Sequence, residues 1–176
     1  NNRTGVSANW AVNPDLSISS GYAFGLDRSL GDAYGQLDSN THNFNLGAYQ
    51  LLGERLTAGI SGSHSISEYQ GNLQNDTQQS SIGPLVAWHP TEYLSFSAQV
   101  GYTVVAVDQT SIGNTGSALG VIDTSEFAGL TYQLGVVHRI NKSMSHSLSV
   151  GNLVNSGLGS NYTESFTVGY GFQWTL

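Results

Sequence analysis

The stretch TVGYGFQWTL, residues 167–176, places a large apolar side chain at every second position up to the last residue. Residues of the other parity in this stretch are Thr, Gly or Gln. Because successive side chains of a β-strand point to opposite faces, the alternation predicts a strand with one apolar and one polar face. The apolar positions are Val168, Tyr170, Phe172, Trp174 and Leu176.

The same alternation recurs along the chain, with its apolar residues on even numbers, and predicts about nine strands in all. Several of these strands reach about ten residues, which is longer than the usual globular strand of about five or six and suits a tilted strand crossing a bilayer. The eight earlier strands are marked by Val6 to Val12, Leu16 to Leu26, Phe44 to Leu52, Leu56 to Ile66, Ile82 to Trp88, Leu94 to Ala106, Ala128 to Ile140 and Met144 to Val150.

Short and long connections alternate between these strands. The short connections lie near residues 13–15, 52–55, 89–92 and 141–143, and the long ones near 27–41, 69–77, 108–123 and 155–161. The long ones are rich in Gly, Asn, Asp, Ser and Gln, which favour loops. Tight turns at one edge and long loops at the other are typical of outer-membrane barrels. We therefore predict an all-β fold, an antiparallel up-and-down transmembrane β-barrel, with residues 1–176 forming a single domain.

The odd-numbered face of the predicted strands is too polar to form a protein core. On the fourth strand it reads Thr, Gly and four Ser from Thr57 to Ser67, and on the sixth strand it is Ser, Gln, Gly and Thr from Ser95 to Thr103. We expect even-numbered residues to face lipid and odd-numbered ones to face the lumen. A soluble β-sandwich also alternates, but strand length and the unequal edges favour the membrane.

The three tryptophans, Trp10, Trp88 and Trp174, each fall near a tight turn or the end of the sequence, and so at one edge of the predicted sheet. Tryptophan is enriched where a membrane meets water. We predict an interfacial girdle at these positions. The alternative is that they are ordinary buried tryptophans of a sandwich.

Composition excludes several classes of protein. Charged residues make up 10% of the chain, cysteine is absent, and no apolar run approaches the length of a membrane-spanning helix. A helical membrane protein, a disulfide scaffold and a thiolate metal site are therefore excluded. Nucleic acid is not an expected partner because no basic patch is present. The chain begins with Asn1 rather than Met, so we expect a processed form or a fragment.

The net charge of −7 is concentrated at the predicted long-loop edge. The tight-turn edge carries three acidic and three basic residues, whereas nine acidic residues at the long-loop edge accompany only Arg3 and Arg28. Such an acidic rim offers ligands for divalent cations that also bridge lipopolysaccharide, or a charge that favours cations entering a pore. The alternative is that it consists of solubilising loops with no specific ligand. The predicted rim positions are Asp27, Asp32, Asp38, Asp76, Asp108 and Asp123.

No catalytic constellation is found, so we predict no enzyme, no cofactor and no metal. The five histidines lack the spacing of metal ligands, and only His138 and His146 are expected to meet, as a cross-strand pair. Pro84 lies inside the fifth apolar set and cannot donate a ladder hydrogen bond. We expect a β-bulge or a late strand start there.

The last strand, with Val168, Tyr170, Phe172, Trp174 and a final apolar residue, resembles the C-terminal assembly signal of bacterial outer-membrane β-barrel proteins. That family most often ends in Phe, whereas this sequence ends in Leu176. The resemblance implies the outer membrane of a Gram-negative bacterium, contact with membrane lipid and lipopolysaccharide, and insertion by the barrel assembly machinery. It does not imply one activity, because porins, anchors, adhesins and a few enzymes share the architecture.

Nine strands are an odd number, whereas closed bacterial barrels normally have an even number. Either an upstream part of the polypeptide supplies another strand, or the third or fifth strand is miscounted. The small inward-facing residues favour the C-terminal portion of a larger barrel. Two functions remain open. One is a porin-like passive channel, and the other is a non-conducting structural barrel that anchors or docks a partner protein through its loops or lumen.

Overall fold

A computed structural model of the chain describes residues 2–28, 38–70, 75–108, 126–156 and 161–175. They form one antiparallel sheet in which each strand pairs with the next along the chain, from first to ninth. The all-β, up-and-down prediction and the strand number are confirmed. The strands are β1 (Asn2–Ala11), β2 (Leu16–Asp27), β3 (Ser39–Leu52), β4 (Leu56–Tyr69), β5 (Asp76–Trp88), β6 (Leu94–Asp108), β7 (Phe127–Arg139), β8 (Met144–Ser156) and β9 (Tyr162–Trp174).

The tight turns are held by local hydrogen bonds that their sequences favour. Asn13 Oδ1 accepts the backbone N–H groups of Asp15 and Leu16, at 2.9 and 2.8 Å. Asn141 uses the same arrangement, accepting from Ser143 and Met144, both at 2.9 Å. Asparagine favours such turns because its side chain replaces a backbone acceptor. These bonds fix where each hairpin reverses.

The expectation of a bulge or late start at Pro84 is wrong. β5 begins at Asp76, eight residues earlier, and its register with β6 is the same on both sides of the proline. The ladder to β6 is interrupted only at Gly83 and Pro84, while both residues remain paired with β4. A Cβ atom at residue 83 would collide with the carbonyl oxygen of Val100. Glycine therefore lets the two backbones approach closely where the proline removes a donor.

The two faces of the sheet differ as the sequence predicts. Large apolar side chains on even-numbered positions are exposed, among them Leu46, Ile60, Ile82, Val100, Leu130, Leu134, Phe166 and Tyr170. The most buried side chains include Thr77, Thr103 and Val105, which are odd-numbered. Val154 is an exception, since it is even-numbered and only 4% exposed. Except around Val154, the apolar face of the sheet is turned outward.

The two edge strands of the sheet run in the same direction. β1 and β9 both lead from the long-loop edge to the tight-turn edge. Within the described ranges, β1 pairs only with β2 and β9 only with β8, so the strand expected to close a barrel against β9 is not among the nine. No helix capable of spanning a membrane occurs in the part of the chain that the structure describes.

Candidate functional site

The odd-numbered face is the concave face of the sheet. Gln99 Nε2 on β6 donates to Ser61 Oγ on β4, 3.3 Å away, across the intervening strand β5. Such a contact requires the sheet to curve towards this face. Along the nine described strands the face carries charged residues only at strand ends, namely Arg3, Asp27 and Arg139. Its middle is a surface of hydroxyl, amide and glycine groups.

A chain of hydroxyl groups occupies the centre of this face. Thr103 Oγ1 lies 2.9 Å from Thr131 Oγ1 and donates to Ser81 Oγ at 3.1 Å. Thr131 Oγ1 also lies 3.3 Å from the carbonyl oxygen of Gly101, which competes with Thr103 for its single hydroxyl proton. These groups line a cavity of about 220 Å³ together with Gln99 and other polar residues. The cavity offers hydrogen-bond donors and acceptors without a formal charge.

The loop-side end of the β8–β9 hairpin folds over the concave face. The ladder between β7 and β8 ends at Tyr132 and Asn152, although β8 continues to residue 156. Beyond that point, the carbonyl oxygen of Val154 accepts a hydrogen bond of 3.1 Å from Gln79 Nε2 on β5. β5 and β8 are separated by two strands in the sheet. The folded end therefore narrows the space enclosed by the sheet.

A second contact ties down the folded hairpin end. Asn75 Nδ2, just before β5, donates to Asn161 Oδ1, just before β9, at 3.0 Å, and both residues are buried. The rings of Phe127 and Tyr162 meet nearby, with centroids 5.4 Å apart. The sequence did not reveal these contacts, because they join strands that are not neighbours. The sequence feature that pointed to these contacts is the presence of two polar residues, Gln79 and Asn75, next to a long loop.

Four of the predicted rim acids lie at the long-loop edge of the described strands. Asp27 ends β2, Asp38 precedes β3, and Asp76 and Asp108 face each other directly across β5 and β6. Asp38 Oδ2 forms an ion pair with Arg28 Nε at 3.9 Å. The other two predicted rim positions, Asp32 and Asp123, lie outside the described residues.

Tyr69 lies among the rim carboxylates. It is the last residue of β4, and its backbone N–H donates to Asp76 Oδ1 at 2.7 Å. Burial raises the pKa of its phenol above the ordinary value of 10.0, and the negative charges of Asp76 and Asp27 raise this pKa further. The neutral phenol is therefore favoured at this position.

A basic cavity lies at the opposite, tight-turn edge. Its volume is about 470 Å³, and its lining includes Arg139, Lys142, Tyr93 and Gln173. The cavity is shaped by the β7–β8 turn and the end of β9, where the N–H of Thr175 donates to the carbonyl oxygen of Ser143 at 2.8 Å. The concave face thus has basic groups at its turn end, whereas Asp27 and Arg3 are its charged residues at the loop end of the described strands.

The three tryptophans lie at the tight-turn edge and are exposed on the outward face. Across the hydrogen-bonded rows, Trp10 aligns with Pro84 of β5, four residues before Trp88. Trp88 in turn aligns with Tyr170 of β9, four residues before Trp174. The tryptophans therefore advance along the strands by four residues for every four strands crossed.

This regular offset corresponds to a definite strand tilt. For each strand crossed, the tryptophan position advances by one residue, which is about 3.3 Å along the strand, while neighbouring strands are about 4.8 Å apart. The strands are therefore tilted by about 35° from the normal of the plane that contains all three tryptophans. Transmembrane barrels have tilts of about 35–45°. We call this plane the tryptophan level. A single level for three side chains on β1, β5 and β9 is therefore compatible with barrel geometry.

The terminal stretch forms a regular strand, as predicted. Val168, Tyr170, Phe172 and Trp174 are exposed on the outward face. β9 pairs with β8 along its whole length, with Val168 opposite Val150. Leu176 lies outside the described residues. A role of this stretch as an assembly signal stays a prediction.

The histidine pair foreseen from the sequence is present. His138 and His146 lie directly opposite each other on β7 and β8, with Nδ1 of the first 2.9 Å from Nε2 of the second. Within the ranges that the structure describes, no group of three or more His, Cys, Asp or Glu side chains is arranged to hold a metal.

The sequence matches no known protein family. It matches no curated protein either. Two solved structures of OmpT, an outer membrane protein of Vibrio cholerae, share the fold. One, folded in vitro, has a TM-score of 0.63 at 14% identity, and the match covers 98% of this chain and 55% of OmpT. The other, expressed in the outer membrane, has a TM-score of 0.62 at 13% identity, and the match covers 98% of this chain and 56% of OmpT. The chain thus spans about half the length of these structures and has the fold of part of an outer-membrane β-barrel.

Proposed function

We propose that the chain forms part of an integral outer-membrane β-barrel whose concave face lines a porin-like passive channel for small polar solutes. The observation that carries this proposal is the concave face itself, which has hydroxyl and amide groups along its middle and charged residues only at strand ends. Such a surface hydrogen-bonds water and polar solutes without holding an ion tightly.

The membrane location is supported by the outward face. Its exposed apolar side chains would be costly in water but suit the hydrocarbon region of a bilayer. The tilt of about 35° deduced from the tryptophans agrees with that of membrane barrels. The likeness to OmpT of Vibrio cholerae supports the outer membrane of a Gram-negative bacterium as the location.

The proposed partners follow from this location. Membrane lipid would cover the outward face, and the acidic rim, including Asp76 opposite Asp108, would contact lipopolysaccharide through bridging divalent cations. The alternating strand β9 supports recognition by the barrel assembly machinery. We assign no enzymatic activity, because along the described strands the polar groups of the concave face bond to one another as a lining.

The second candidate function is a non-conducting barrel that anchors or docks a partner protein. The folded end of the β8–β9 hairpin favours this candidate, because the bond from Gln79 to Val154 narrows the lumen. A lumen blocked at this point would carry no current. The long loops would then be the surface presented to the partner.

Single-channel recording in planar bilayers separates the two candidates. We expect stable open steps, and we expect Gln99→Lys to shift the reversal potential in a salt gradient towards anion selectivity because it adds a cation to the lumen wall. The matched control is Gln78→Lys on the outward face, which should leave selectivity unchanged. The absence of open steps in folded protein would support the docking barrel, and a shift with Gln78→Lys alone would show that the faces are reversed.

A further inference from the structure

We propose that His138 and His146 form a two-histidine binding site for a divalent transition-metal ion with square-planar or octahedral preference, such as Cu(II). The site lies on the outward face near the tight-turn edge and is independent of whether the lumen conducts. It goes beyond the sequence, which predicts no metal because the two histidines are eight residues apart with no chelating motif.

The separation of the two ring nitrogens carries the proposal. Nδ1 of His138 and Nε2 of His146 are 2.9 Å apart. Metal–imidazole bonds are about 2.0–2.1 Å long, so two nitrogens at 90° around one ion are about 2.9 Å apart. Two nitrogens at a tetrahedral angle would be about 3.3 Å apart. The observed separation is that of a hydrogen bond between the rings and is close to that of cis ligands, so a small ring rotation brings both nitrogens to one ion. Cu(II) is the divalent first-row ion that nitrogen ligands bind most strongly.

The backbone holds the pair in place. His138 and His146 are directly opposite in the ladder between β7 and β8, three residues from the turn at Asn141 on the β7 side. The His146 ring also meets the ring of Tyr170 edge-on, at a centroid distance of 6.2 Å. A metal ion would bind two preplaced ligands with little loss of backbone freedom.

The tryptophan level shows that the site is reachable from water. His138 and His146 share a hydrogen-bonded row with Phe172, two residues before Trp174 on β9. Because the level shifts by about one residue per strand, it crosses β7 at His138 and passes one residue from His146 on β8. The pair is thus at the proposed membrane–water boundary, where water can complete the coordination shell.

Binding requires a rearrangement of protons and a small rotation of the two rings, which turns both facing nitrogens from each other towards the ion. In the hydrogen-bonded pair, one of the two facing nitrogens carries a proton and the other accepts it. When a metal binds, that proton moves through solvent to the remote nitrogen of the same ring, so both facing nitrogens present lone pairs. No net proton is released from two neutral imidazoles. The neighbours in the row, Leu94 and Phe172, offer no competing ligand.

Cu(II) added to the folded full-length protein in detergent tests the proposal by electron paramagnetic resonance. We expect one tight equivalent whose hyperfine pattern reports two nitrogen ligands. His138→Asn and His146→Asn should each abolish the two-nitrogen signal. The matched control is His64→Asn, since His64 is also on an even-numbered strand position but bonds to Ser80 Oγ at 2.8 Å, and it should retain the signal.

The wild-type spectrum decides the question even if a variant fails to fold. A signal with one nitrogen or none at one equivalent of Cu(II) would overturn the proposal, as would a two-nitrogen signal that survives both substitutions. Zn(II) added in equal amount should displace little Cu(II). Complete displacement by Zn(II), against the general order of affinity for divalent metals, would show that the preference for Cu(II) proposed here is wrong.

Discussion

Leu134 is the residue that tests the membrane assignment most directly. It lies on the outward face of β7, four residues from His138, where the tryptophan level crosses this strand. At a tilt of about 35° this places it about 11 Å below the level, close to the middle of an apolar band about 25 Å tall. We expect Leu134→Arg to lower the free energy of unfolding in lipid bilayers by about 2–4 kcal/mol, measured by reversible denaturant titration.

The neighbouring residue Gln133 supplies the control for this experiment. It lies on the concave face at the same depth, opposite Gln99 of β6 and Gly151 of β8. Arginine there would meet polar groups and water, so its cost should be far smaller. Equal losses of stability at residues 133 and 134 would contradict the assignment of lipid and lumen to the two faces.

Tyr69 gives the rim a pH dependence in the alkaline range. Because its pKa is raised above 10.0 in the folded protein, the stabilisation of the neutral phenol is fully present below pH 10 and is lost as the pH rises through the folded-state value. The difference in phenolate absorbance between the wild type and Tyr69→Phe should have a midpoint above pH 10. Asp76→Asn should lower that midpoint, since it removes one of the charges responsible. A midpoint at or below 10 would contradict the burial of this ring.

At the scale of the element, β9 must be ordered to its end. Phe172 and Trp174 pair with His146 and Met144, and Thr175 bonds to the β7–β8 turn. Deleting residues 172–176 removes these pairings together with part of the terminal alternation. We expect the truncated chain to reach the periplasm but not to assemble, as measured by loss of the heat-resistant folded form in outer-membrane fractions. Normal assembly would show that the alternation is ordinary strand packing.

The strands and faces could be predicted from the sequence because side-chain alternation is a local property of each strand. The start of β5 was missed because strands were recognised by apolar residues at outward positions, and β5 has Gln78 and Ser80 at two of these positions. Its ladder partners on β4 and β6 decide that this segment is a strand. The histidine pair was foreseen because the turn at Asn141 fixes its register.

The folded end of the β8–β9 hairpin could not be predicted in the same way. Its contacts, such as Gln79 with Val154, depend on the curvature of the whole sheet, and curvature accumulates over several strands. The central hydroxyl chain was visible only as a polar face, without its internal bonds. The sequence therefore identified the lining of the candidate site but not its narrowest part.

For the whole molecule, the strand tilt is the measurable consequence of the tryptophan positions. We expect polarised infrared spectroscopy of the protein in oriented bilayers to give an amide I dichroism corresponding to strands tilted by about 35° from the membrane normal. A soluble β-sandwich adsorbed on the same bilayers would show no such orientation. A tilt near zero would contradict a common level for Trp10, Trp88 and Trp174.

The regular offset between neighbouring strands also limits how a chain of this kind can vary in evolution. Because neighbouring strands are antiparallel, the chain runs in the same direction again after every two strands. Over those two strands the tryptophan level advances by two residues on average, so the hairpin is the repeating unit. Gain or loss of a whole hairpin preserves the lipid and lumen faces and the directions of β1 and β9. A single residue inserted within a strand turns every later side chain of that strand to the opposite face. Length changes are therefore tolerated in the loops or in steps of whole hairpins.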